Sequence, residues 1–173
     1  MFKKVDIKAT LIFGSLAAVV FCIPIFFFIQ LAEYRGAWLL YLGSFFFMAV
    51  VSYHIFRDSK KRGDNESTVA LVFNSHMVTI AGIIVACILC FIILSLAVPG
   101  YLGKGMADKV LTGEPANSLK DKTDGLSLDV FMAATIINFS VGSFVSIIFP
   151  FYIKRNQTRD RREPKPLHQK GRR

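Results

Sequence analysis

Charge is missing from most of this chain. Residues 9–31, 37–56, 69–98 and 130–153 contain no Asp, Glu, Lys or Arg. A soluble domain of 173 residues would interrupt its apolar stretches with charge far more often. The same absence removes the groups that proton relays and ion-coupled transporters use inside a bilayer, which argues against active transport by a single copy. Cysteine is scarce too. Cys22, Cys87 and Cys90 all lie within apolar runs, where the residue serves as a small packing group, and so odd a count says little about redox compartment. No CxxCH occurs, so covalent c-type haem attachment is excluded. No small-residue cleavage site follows the first apolar run. That run is also too long for a signal-peptide core and reads as a retained helix.

What is present is long apolar sequence: 53% of the chain is hydrophobic, with 17 Phe and one Trp. Residues 128–153, LDVFMAATIINFSVGSFVSIIFPFYI, are the clearest span. At about 1.5 Å per residue they reach roughly 39 Å, enough for a ~30 Å hydrocarbon core with some tilt. Ala134, Asn138, Gly142 and Ser146 recur every fourth residue and share one helix face. Lipid gains nothing from such a face, whereas a neighbouring helix can pack into it. Residues 9–31 carry the same kind of stripe at Gly14, Ala18 and Cys22, with Pro24 predicting a kink. Residues 69–98 repeat it at Gly82, Ala86 and Cys90, and Ser67 or Thr68 offers their N-cap. Residues 37–56 complete a set of four spans, with Trp38 and Tyr41 placed for an aromatic belt.

The connections set the topology. Residues 32–36 form a tight return, residues 57–68 a basic loop, and residues 99–127 the one long connection, with a short helix possible at 106–111. Residues 1–8, 57–68 and 154–173 hold sixteen Lys or Arg, against five on the other side. By the positive-inside rule both ends of the chain are cytoplasmic. The expected fold is therefore all-α: a polytopic membrane protein with four transmembrane helices in an antiparallel up-down bundle, N-in and C-in. Residues 1–8 form a cytoplasmic N-terminus, residues 9–153 the membrane domain, and residues 154–173 a basic cytoplasmic tail expected to be disordered.

Candidate chemistry is sparse. Cys87 and Cys90 form a CxxC, the spacing of disulfide oxidoreductases. Four-helix membrane thiol–quinone enzymes hold such pairs at the extracytoplasmic side, and residues 32–36 and 99–127 contain no Cys. Packing is the expected role. His54 and His76 fall near the cytoplasmic ends of the second and third spans, and two facing imidazoles can ligate haem iron; headgroups and water satisfy interfacial histidines equally well. Asn74 and Asn138 are polar residues on spans, expected to hydrogen-bond between helices. Lys60, Lys61, Arg62, Lys154, Arg155, Arg161 and Arg162 suit topology anchoring and anionic lipid headgroups. The tail lacks the aromatic interleaving of single-strand nucleic-acid binders, so nucleic acid is not an expected partner.

The layout resembles a family of small four-helix bacterial membrane proteins known only as a domain of unknown function. The likeness rests on a Lys-rich start, a short turn after a Phe-containing helix, the passage SYHIFRDSKKRGDNEST into a long third helix, and a closing FMAATIINFSVGSFVSIIFPFYIKR. It covers about residues 5–155, supplies no catalytic residues, and implies a bacterial inner membrane. The expectation is a non-enzymatic structural or accessory subunit without cofactor or metal. Gly14, Ala18, Gly82, Ala86, Ala134, Asn138, Gly142 and Ser146 would pack its helices, and the bilayer, anionic headgroups and other membrane subunits would be its partners. A membrane redox protein, or a passive permease or small-molecule binder, is the alternative.

Overall fold

The computed structural model describes residues 6–31, 34–62, 67–98 and 127–162, and all of its regular structure is helical. Helix α1 is Ile7–Leu31, a 3₁₀ turn follows at Tyr34–Ala37, α2 is Trp38–Arg62 and α3 is Thr68–Ala97. Helix α4 spans residues 127–162, with a π-helical turn at Ala133–Ile137 and α-helix over Asn138–Arg162. Four helices are long and apolar enough to cross a membrane, which is the architecture of a multi-pass membrane protein.

The helix ends follow local chemistry. Asp6 starts α1: its Oδ1 accepts from the Ala9 amide at 3.2 Å and its carbonyl from Thr10 at 2.9 Å, the pattern of an N-cap aspartate. Ser67 caps α3, its hydroxyl accepting from the Val69 amide at 3.3 Å. Helix α2 runs six residues beyond the expected end at Phe56, to Arg62. Helix α4 likewise continues to Arg162, well into the segment expected to be disordered. No helix breaker follows Pro150 until Pro164, so propagation from an already formed helix costs little. The long connection, residues 99–126, with the helix expected at 106–111, lies outside the described residues.

Helix α1 packs on α2 and α3, α4 packs on the same two, and α2 and α3 touch more lightly. Along α1, Phe13 stacks on His54, Phe21 lies against Gly43, and Phe28 lies against Gly36. Along the other side of α1, Gly14 meets Gly82 and Cys22 meets Cys90. The interior is filled by Phe21, Phe28, Phe47, Ile25, Ile55 and Val78 among others, and by small residues between them. The outside is apolar as well: Leu16, Ile23, Ile84, Phe91, Phe144 and Phe151 are all exposed. An apolar exterior around an interior of large apolar side chains with small residues at the close contacts suits lipid solvent, because lipid offers no hydrophobic drive for helices to associate and packing must supply it.

Several hydroxyls inside the spans are satisfied at home, although those of Ser44, Ser143 and Ser146 are buried without a partner. Ser52, Ser75, Thr79, Thr135 and Ser140 each donate to the carbonyl four residues back, at 2.6–3.1 Å. That bond lets a polar side chain sit in hydrocarbon without a partner from another helix.

Candidate functional site

A charged cavity lies between the N-terminal end of the apolar run of α1 and the C-terminal end of that of α2. Its volume is about 260 Å³. Ala9, Ile12, Phe13 and His54 form its apolar and aromatic floor. Lys8, Arg57 and Lys61 give its rim three positive charges, and Asp6 and Asp58 two negative ones.

Helix geometry explains the grouping. Asp6, Ala9 and Phe13 are spaced by three and four, as are His54, Arg57, Asp58 and Lys61, so each set shares a face. The two faces meet through Phe13. Its ring lies 4.9 Å from the His54 ring and 6.2 Å from the Tyr53 ring, and the Arg57 guanidinium sits over it at 5.1 Å. A cation over an aromatic face is attracted by the ring quadrupole, which holds Arg57 at the cavity. Lys61 reaches Asp6 at 3.5 Å, with both side chains substantially exposed, so that ion pair is worth at most a few tenths of a kcal/mol after solvent screening.

No family model, curated protein or solved structure matches this chain. The reading of the site therefore rests on geometry alone.

The residues singled out from sequence fall in several places. Gly14, Ala18, Gly82, Ala86, Ala134, Asn138, Gly142 and Ser146 are all buried. A methyl placed on Gly14 would stand 2.9 Å from the Gly82 amide nitrogen; one on Gly82 would stand 2.8 Å from the Phe47 ring. One on Gly142 would collide with the Thr79 side chain. These positions accept glycine because backbone or a fixed side chain already occupies the space.

Asn138 does something that spacing alone did not reveal. At the π turn its backbone N–H goes to the carbonyls of Ala133 and Thr135. Its side-chain amide then donates to the Ala134 carbonyl at 3.4 Å. The bond expected to cross between helices is thus made within α4, while the buried Oδ1 of Asn138 has no partner. Asn74 is buried at the α3 end of the bundle.

Cys87 and Cys90 are not the thiols brought together most closely. Cys90 is buried on the α1 side of α3, with its thiol within hydrogen-bond reach of Cys22, and Cys87 is half-buried. The CxxC spacing lies on one helix, whereas packing brings together thiols of two. His54 and His76 also have separate partners. His54 is buried against Phe13, and the His76 Nδ1 lies 2.9 Å from its own helix's Val72 carbonyl. Among the described residues no group of three or more His, Cys, Asp or Glu is placed to hold a metal ion.

Of the basic residues, Lys60, Lys61 and Arg155 are exposed and Lys154 is half-exposed. Arg62, Arg161 and Arg162 lie on helices, but their side chains are outside the described set. Lys8 and Arg57 were not singled out from sequence as binding residues. Their signal was present: Lys8 is the last charge before the first apolar run and Arg57 the first charge after the second. What sequence could not supply is that the two run ends meet.

Proposed function

We propose that this chain is a non-catalytic, multi-pass protein of a bacterial inner membrane, acting as a structural or accessory subunit through helix packing. The observation that carries the reading is the close-packed seam between α1 and α3, with Gly14 against Gly82 and Cys22 against Cys90. A seam in which a single methyl meets backbone at 2.9 Å has no room for a substrate between α1 and α3 at that level. The exposed apolar exterior, in turn, offers surfaces to lipid or to other spans.

The topology in this proposal is up-down-up-down, with both ends cytoplasmic. Two contact series support it. Residues 13 and 21 of α1 meet residues 54 and 43 of α2, and residue 28 meets residue 36 in the turn just before α2, a descending series. Residues 14 and 22 meet residues 82 and 90 of α3, an ascending one. The sixteen-to-five excess of Lys and Arg selects the cytoplasmic side.

Affinity purification of the full chain from native membranes in a mild detergent tests the subunit role. A stoichiometric membrane partner is expected, and a monodisperse preparation carrying no other protein refutes it. Reporter fusions at Arg173 and beside Glu114 test the topology. They should report opposite compartments; the same compartment at both would overturn the four-span arrangement.

A further inference from the structure

We propose that the cavity between the first turns of α1 and the last turns of α2 is a binding site for the phosphate group of a phospholipid headgroup. Its depth is the first argument. Lys8 is the last charge before the apolar run of α1, and Arg57 the first after that of α2. A bilayer crossed by these helices therefore places the cavity where its hydrocarbon ends and its phosphates lie.

Charge and donor geometry are the second argument. Lys8, Arg57 and Lys61 outnumber Asp6 and Asp58 at the rim, and Asp6 is engaged already by the Ala9 amide and Lys61. Arg57 is the natural anchor. Its planar fork matches phosphate oxygens in pairs, and stacking over Phe13 at 5.1 Å limits the freedom lost on binding.

Size and continuity are the third. About 260 Å³ is below the range of pockets that enclose drug-sized ligands, but it suits a phosphate with a small alcohol. Ile12 lines the cavity and is also exposed, as are Ile7 and Leu11 on neighbouring turns. A bound headgroup would thus leave its acyl chains on an apolar surface continuous with the bilayer. The shared chemistry is a phosphate ester, and a water-soluble phosphate could use the same contacts. The proposal requires the helices to lie in a membrane, but not that the chain belongs to a complex, so each can fail without the other.

Native mass spectrometry of the full chain in dodecyl maltoside tests it, with phosphatidylglycerol as one probe and diglucosyl diacylglycerol of the same acyl chains as the phosphate-free comparison. One phosphatidylglycerol should be retained at least tenfold more tightly than the glycolipid. Arg57→Gln should weaken that retention at least tenfold. Lys60→Gln, which removes the same charge three residues away and outside the cavity, should change it less than twofold. If Arg57→Gln does not fold, Lys8→Gln at an exposed position and Ala9→Phe, which fills the cavity without altering charge, read the same site, and both should lower retention. Displacement of the lipid by millimolar glycerol phosphate would support the phosphate site and identify a soluble ester as a competing occupant. Equal retention of the two lipids, equal losses from Arg57→Gln and Lys60→Gln, or unchanged binding in Ala9→Phe would each overturn the proposal.

Discussion

The seam between α1 and α3 can be forced open at one atom. A methyl on Gly14 would stand 2.9 Å from the Gly82 amide nitrogen, 3.0 Å from the Ala81 Cβ and 3.2 Å from the Ala81 carbonyl carbon. Carbon atoms pack best at about 3.5–4.0 Å, so the helices must part here by about 0.6 Å or more. Two of the three contacts are backbone and cannot rotate aside. Overpacking of this kind costs about 1–3 kcal/mol, and alanine returns about 1 kcal/mol over glycine through helix propensity. The net for Gly14→Ala is a loss of about 1 kcal/mol, and for Gly14→Leu, with three more carbons at the same point, about 3 kcal/mol or more. Taking roughly 2–4 °C per kcal/mol for a chain of this size, the melting temperature in dodecyl maltoside should fall by about 2–4 °C and about 6–12 °C respectively. Cross-linking gives a second readout, because Cys22 and Cys90 lie eight residues further along each helix. Their oxidation by copper phenanthroline should slow several-fold in Gly14→Leu. Ile23→Leu, isomeric and exposed, is the control and should change neither quantity. A Gly14→Leu protein that melts and cross-links like the parent refutes the close seam.

Other expectations follow from the same packing. Peptide mapping after copper phenanthroline treatment should find a Cys22–Cys90 link that survives Cys87→Ala and disappears in Cys90→Ala; a Cys87–Cys90 link in its place would contradict the α1–α3 register. Gly142→Leu should lower the melting temperature about as far as Gly14→Leu, since the Thr79 hydroxyl it displaces already donates to the Ser75 carbonyl at 3.1 Å; an unchanged melt would count against the α3–α4 contact. Asn138→Leu should cost about 1 kcal/mol by removing the side-chain bond to the Ala134 carbonyl, and a melt equal to the parent's would show that this bond is dispensable. Lys61→Ala should leave the melting temperature within about 2 °C, because its 3.5 Å pair with Asp6 is 70% and 42% exposed; a larger drop would mean the ion pair is stronger than its exposure allows.

Span number and approximate position were legible in the residue order because they depend on local quantities. Uncharged length sets how much hydrocarbon a helix can cross, and a serine before an apolar run marks a cap, as Ser67 does. Four-residue spacing also marked buried positions, Gly14, Gly82 and Gly142 among them, since a shared face is a property of one helix. The reach of α2 to Arg62 and of α4 to Arg162 was less legible: polar composition suggested loop or disorder, but a formed helix continues until something stops it.

Which faces meet is a different kind of fact. Cys22 lies beside Cys90, and Phe13 beside His54 and Arg57, only because α1 is packed between α2 and α3 in one register. Those partners are 68, 41 and 44 positions apart in the chain, and no short-range pattern encodes them. The residue order thus determined that the chain holds four helices long and apolar enough to cross a membrane, and about where each lies. Contact between distant helix faces, governed by how closely their backbones approach, decided which thiols lie side by side and where a charged cavity opens.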